Sequence, residues 1–180
     1  VLAMVYCRLR NQSPLKHVKD DFADSWLSQK LGTEGLSART LTDFMKTLGK
    51  NRQGMLAFMR TYAGAGGNVI FDGTDLLSAS AKMDFPRMSK TKLGGFAEAI
   101  NLMMAFSTSM MLPVYYRLLP GNVKDVTAFL TSIDEFGDSD ITAVCDKGFY
   151  SKKNVEELDR RGVKFLIAMR RSTSGLDYDK

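Results

Sequence analysis

The sequence predicts an α/β protein: a mixed sheet with helices on its faces, preceded by a small helical region. Three observations carry this. Apolar residues recur at helical spacing up to about residue 63, and the period changes after Asn68. A Gly-rich stretch, Gly64 to Gly67, separates the two regimes. Beyond it, three β-type runs come in succession, and strands then alternate with helical segments.

In the leader (residues 1–63), Ser37 suits an N-cap, and Leu41, Phe44, Met45 and Leu48 follow at i, i+3, i+4 and i+7, with Gly49 expected to stop the helix. Met55, Phe58, Met59 and Tyr62 repeat that spacing, and Phe22, Trp26 and Leu27 suggest one more amphipathic stretch after Pro14. In the second region (residues 68–180), strands are expected over Val69 to Leu77, Gly95 to Ser107 and Met111 to Leu119, with turns at Thr108-Ser109 and Pro120-Gly121-Asn122. A helix follows with Val126, Phe129, Leu130 and Ile133 on one face, ending at Gly137. Then come a strand, Ile141 to Cys145, a helix capped by Ser151 and stopped at Gly162, and a last strand, Lys164 to Met169. An antiparallel meander followed by strand–helix–strand crossovers is the ribonuclease-H-like layout.

At 180 residues the chain can bury one full core and a small accessory module. The 44% hydrophobic and 25% charged residues are those of a soluble globular protein and do not suggest disorder. The net charge of +5 is compatible with a polyanionic partner without establishing one. Cys7 and Cys145 lack metal-ligand spacing, and Cys145, inside an apolar run, reads as a small hydrophobe in a reduced cytosolic compartment. The single histidine, His17, leaves multi-histidine metal sites and serine-protease-like triads without raw material. Leu2 to Leu9 is too short for a signal peptide, and Arg8 and Arg10 follow it instead of preceding it. Leu102 to Tyr116 is interrupted by Ser107, Thr108, Ser109 and Pro113, so no membrane span is expected. The chain opens on Val1 and closes on Leu-Asp-Tyr-Asp-Lys, and it is expected to be cut at both ends.

Two apolar runs terminate on or near an aspartate, Asp72 and Asp146, 74 positions apart. A lone buried carboxylate is costly, and two on neighbouring strands offset that cost by sharing a divalent cation. That is the layout of a two-metal phosphoryl-transfer site, for which hard oxygen donors select Mg²⁺ or Mn²⁺. The plainer alternative is a pair of turn or cap residues. Strand alternation separates Asp75 from Asp72, Thr74 and Leu76. Asp125 sits where a helix starts, a position that favours a capping carboxylate. An aspartyl-nucleophile phosphohydrolase, suggested by Phe-Asp-Gly-Thr, fails because its nucleophile position is Ile70.

The segments Phe71-Asp72-Gly73-Thr74-Asp75-Leu76, Leu112-Pro113-Val114-Tyr115-Tyr116-Arg117, Leu119-Pro120-Gly121-Asn122-Val123-Lys124-Asp125 and Asp146-Lys147-Gly148-Phe149-Tyr150-Ser151 resemble, in that order, the DDE transposases of bacterial insertion sequences, most closely the insertion-sequence-four-like class. The likeness runs over Val69 to Met169, and Leu36-Ser37 and Leu48-Gly49-Lys50-Asn51-Arg52 of the leader fit as well. The resemblance implies cut-and-paste DNA transposition by an Asp-Asp-Glu triad holding two Mg²⁺ ions, with Asp72 and Asp146 as the first two members. It implies DNA, as element ends and target, for partner, a homodimer as the active complex, and the bacterial cytoplasm, on the nucleoid, for location. The third member has no counterpart, since Arg170 to Lys180 contain no glutamate. About half of a catalytic domain is therefore expected, inactive by itself.

Basic residues cluster beside the expected strand ends: Lys82, Arg87, Lys90 and Lys92 in the loop after the first strand, Lys147, Lys152 and Lys153 after the second aspartate, and Arg170 and Arg171 after the last strand. Such loops can hold DNA phosphates, or can be an ordinary solvated face. Residues 38–62 carry five Lys/Arg against one Asp and could form a helix-turn-helix. Two other functions compete: a ribonuclease-H-fold nuclease or resolvase, which needs a further carboxylate nearby, and a non-catalytic DNA-binding remnant.

Overall fold

A computed structural model of the chain describes residues 1–63, 67–90, 94–123, 125–137 and 140–169. The chain divides into two units, Val1–Met55 and Leu56–Lys180.

The first unit is helical: α1 (Leu2–Asn11), α2 (Val18–Ala23), α3 (Trp26–Leu31) and α4 (Ala38–Lys50), with α5 (Arg52–Arg60) beginning in it. Its core gathers Ala3 and Cys7 of α1, Val18 and Phe22 of α2 and Leu41 of α4. The stretch after Pro14 is two short helices instead of one, because Ser25 ends the first and caps the second, its Oγ accepting the Ser28 N–H at 3.2 Å. Trp26, expected on the buried face, is 63% exposed. Ser37 caps α4 as expected, accepting the Thr40 N–H at 3.2 Å. Gly49 does not stop α4, which runs to Lys50. Only Asn51 then separates α4 from α5, so residues 38–62 lack the three-to-four-residue turn of a helix-turn-helix.

Nothing lies within 4 Å of where a Cβ would stand at Gly49. A glycine inside a helix costs about 0.5–1 kcal/mol relative to alanine, so Gly49→Ala should stabilise the helical unit by about that amount. Urea unfolding checks this; a lowered midpoint would show that Gly49 serves a contact outside its own helix.

The second unit holds β1 (Asn68–Leu77), β2 (Arg87–Lys90), β3 (Phe96–Ser107), β4 (Leu112–Pro120), α6 (Asp125–Phe136), β5 (Thr142–Cys145), α7 (Lys152–Arg160) and β6 (Lys164–Ile167). The sheet order is β2–β3–β1–β5–β6, with β4 also paired to β3. β1, β2 and β4 run antiparallel to β3, whereas β5 is parallel to both β1 and β6. This is the ribonuclease-H-like topology predicted from the element order. β2 was not foreseen: Arg87 and Lys90 lie on this short edge strand, not in a loop. It forms by pairing back on Phe96–Ala99, the next strand, with no alternation of its own to announce it. The leader boundary expected at residue 63 also falls inside this unit, because Leu56 and Ala63 are buried in its core.

One face of the sheet carries the core. Val69 and Phe71 of β1, Met103 and Ala105 of β3, and Ala143 and Cys145 of β5 pack with Phe129, Ile133 and Phe136 of α6. The Phe71 ring meets Phe129 and Phe136 edge-on, at centroid distances of 5.5 and 5.9 Å. Pro113 and Pro120 are tolerated because β4 is an edge strand pairing only with β3. A bulge between Ala105 and Phe106 of β3 lets consecutive Val114 and Tyr115 both face inward. The Tyr115 hydroxyl donates to Glu135 Oε2 at 2.7 Å, and Arg117 binds the same oxygen at 3.0 Å, tying β4 to α6. Burial, and then the Glu135 carboxylate, raise the Tyr115 pKa. The opposite sheet face is apolar and open at Ile70, Met104, Leu118 and Leu166.

Candidate metal centre and nucleic-acid interface

The parallel pairing of β1 with β5 matches Asn68 to Thr142 and runs to Phe71 with Cys145. The register ends there, so Asp72 and Asp146 each directly follow the last paired residue of their strand. Alternation puts Val69, Phe71, Ala143 and Cys145 into the core and Asp72 on the opposite, open face; Asp72 and Asp146 are both exposed.

Their settings differ from the expectation in one respect. Asp146 does follow the end of β5. Asp72, however, lies mid-strand, for β1 continues to Leu77 along β3. It is exposed because its side chain is on the open face of the sheet, as is that of Ile70.

Both carboxylates are held locally. Asp72 Oδ1 accepts the Gly73 N–H at 2.9 Å. Asp146 caps the 3-10 turn Lys147–Phe149, its Oδ1 accepting the Gly148 N–H at 2.8 Å. Each keeps its Oδ2, and the unused lone pairs of Oδ1, for another partner. Among the described residues no group of three metal-ligating side chains forms. The pair thus fits a hard divalent cation as part of a ligand set, not as a whole one.

Three other carboxylates can be placed. Asp75 is half-buried on the core face, away from Asp72. Asp125 opens α6, and its side chain lies outside the described residues. Glu157, on α7, is engaged by arginines: Arg160 donates to both its oxygens at 2.9 and 2.6 Å, and Arg161 Nε to Oε1 at 2.7 Å. These bonds hold its carboxyl at a pKa of about 2, well below the ordinary 4.5. The ion cluster therefore contributes fully above about pH 4.5 and fades as the pH falls toward 2. Carbon-detected NMR should show the Glu157 carboxyl still ionised at pH 3.5; protonation there would mean the arginines do not hold it.

Cys145, beside the pair, faces the core, and burial and then the Asp146 charge push its thiol up to about 12. It is a packing residue, as its apolar run suggested.

The basic residues divide. Lys147 lies in the turn after Asp146, and Lys152 and Lys153 open α7; all three are exposed. Lys82 lies in the turn between β1 and β2. Arg87 and Lys90 pair across to Ala99 and Phe96, beyond the far end of β1 and about 17 Å or more along the sheet from Asp72. The Arg87 guanidinium is already bound to the carbonyls of Asp84 and Pro86, at 2.7 and 2.8 Å. Lys92, Arg170 and Arg171 lie outside the described residues.

Sequence reasoning missed Phe149. It is buried against Phe129, with ring centroids 5.4 Å apart, and its Cζ stands 3.7 Å from where a Cβ would sit at Gly73. The ring of the turn carrying Asp146 therefore lies near the space a side chain after Asp72 would take, which no local spacing announces.

Among solved structures, the chain is similar to the piggyBac transposase in its synaptic complex with hairpin DNA, at a TM-score of 0.56 and 16% identity over 98% of this chain and 41% of that one. Weaker likenesses are to the Mos1 transposase in a paired-end complex with the left transposon end (TM-score 0.39, 9% identity, 96% of this chain and 59% of that one) and in a pre-cleavage transpososome (0.40, 10%, 94% and 59%). The chain thus spans well under two thirds of the length of these proteins. The piggyBac likeness supports the ribonuclease-H-like fold. No curated protein matches the sequence. Residues 66–178, most of the chain, match the family described as transposase DDE domain. The chain belongs to the DDE transposase-domain family.

Proposed function

We propose that this chain supplies two of the three metal-binding carboxylates of a DNA transposase, Asp72 and Asp146, together with a basic surface for DNA phosphates. The observation that supports the reading is the β1/β5 register, whose last pair, Phe71 with Cys145, immediately precedes the two aspartates. DDE transposases generally work with divalent metal ions. Mg²⁺, or Mn²⁺ in its place, suits the oxygen donors here, with two ions in the complete enzyme. Bound cations there would neutralise charge on the entering and leaving oxygens of a phosphodiester.

The chain's own residues do the rest. Asp72 and Asp146 would be the residues that hold the ions, each steadied by a backbone N–H. Lys147, Lys152 and Lys153 would draw the phosphates toward that edge. Transposon ends and target DNA are the proposed substrates, a homodimer the working assembly, and the bacterial cytoplasm, on the nucleoid, its place. Among the described residues no helix is long and apolar enough to cross a membrane. With no third carboxylate joining the pair among the described residues, the 180-residue chain by itself should neither nick nor join DNA at a useful rate.

The test is uptake of Mn²⁺ by the chain, followed by electron paramagnetic resonance of the free ion; no uptake defeats the reading. DNA affinity should fall steeply with salt and depend little on sequence. Replacing Lys147 and Lys153 by alanine should shallow the log–log salt slope by roughly 0.9 per lysine. An unchanged slope would assign both lysines to ordinary solvated surface.

A further inference from the structure

We propose that Asn154 is a positioning residue for Asp146: its side-chain amide grips the Phe149 carbonyl and so fixes the turn that carries the carboxylate. The proposal rests on the reading of Asp72 and Asp146 as a metal pair.

Asn154 lies in the first turn of α7 and is fully buried. Its Nδ2 donates to the Phe149 carbonyl at 2.7 Å, while its buried Oδ1 has no hydrogen-bond partner among the described residues. An amide with half of its bonding capacity unmet in the interior is a poor choice for stability alone. Leucine has a similar volume and would fill the space without that cost. What leucine cannot do is hold the carbonyl.

That carbonyl closes a short circuit of bonds. The Phe149 N–H donates to the Asp146 carbonyl at 3.2 Å, and the Gly148 N–H donates to Asp146 Oδ1 at 2.8 Å. At the other end the Asn154 N–H donates to Ser151 Oγ at 3.0 Å. From Asp146 to Asn154, every link is therefore anchored to the start of α7. The Phe149 ring packs on Phe129, which in turn packs on Phe71, the residue before Asp72.

The experiment compares the ¹⁵N-labelled 180-residue chain with Asn154→Leu and with Arg161→Ala. The latter breaks the ion pairs of Arg161 with Glu157 and Asp134 without touching the Phe149 carbonyl. Three readouts are taken: the Mn²⁺ dissociation constant, hydrogen exchange of the Gly148 amide, and the melting midpoint. Asn154→Leu should weaken Mn²⁺ binding about tenfold and speed Gly148 exchange by about as much, while melting no lower than the parent chain. Arg161→Ala should melt lower yet keep Mn²⁺ affinity within about twofold, because it orients neither aspartate. Unchanged Mn²⁺ affinity and Gly148 exchange in Asn154→Leu would overturn the proposal. So would failure of both Asn154→Leu and Asn154→Ala to fold, since the amide would then be serving the core. If the parent chain takes up no Mn²⁺, the metal reading falls, and Gly148 exchange alone still decides whether Asn154 holds the turn.

Discussion

Asp72→Ala and Asp146→Ala should each remove divalent-metal binding, whereas Asp75→Ala should leave it intact. The first two carboxylates directly follow the last pair of the β1/β5 register, whereas Asp75 lies half-buried three residues further along β1. A cation shared by two aspartates loses half of its protein charge when either is deleted. Loss of a partner that merely orients a ligand already costs tenfold or more, so loss of a ligand should cost about a hundredfold. Mn²⁺ titration with calorimetry, or paramagnetic broadening of the Gly73 and Gly148 amides, reads this directly. Binding at the parent level in both aspartate variants would sink the assignment, and loss on Asp75→Ala would move the site to the core face.

The largest effect on stability expected of a small change is at Gly121. A Cβ there would stand 2.2 Å from the Ala99 carbonyl oxygen, 2.7 Å from its carbon and 3.0 Å from the Arg87 carbonyl oxygen. All three are backbone atoms of paired strands, which cannot swing aside as a flexible side chain would. Gly121→Ala must therefore push the end of β4 away from the β2–β3 ladder, at about 3 kcal/mol. Denaturant unfolding should show that loss in the sheet unit. A loss below about 0.5 kcal/mol, the ordinary range for surface substitutions, would mean the turn relaxes freely.

Much of the sheet unit was legible because its patterns are local. Val126, Phe129, Leu130 and Ile133 announced α6, and Ser151 announced the start of α7, where its Oγ does accept the Asn154 N–H. The helical leader was less legible. Gly49 was misread as a stop because glycine weakens a helix without ending it when the backbone keeps ordinary helical angles. The stretch from Phe22 to Leu27 was misread because Ser25 can both end one helix and cap the next.

What the sequence determined by itself was the order of elements and the residue types at their ends: a meander, two crossovers, and two aspartates at apolar runs, facts carried by period and composition. What only the tertiary structure decided were matters of pairing. Which face Tyr115 takes depends on a bulge opposite Ala105. Whether Arg87 and Lys90 form a strand depends on the partner offered by Phe96–Ala99. That Gly121 must be glycine follows from the approach of the Ala99 carbonyl, not from its own turn. Asp72 lies mid-strand because β1 continues along β3 past the end of β5. The physical reason is common to all four: strand pairing and close approach join residues that local spacing does not link, so their consequences exist only once the partners have met.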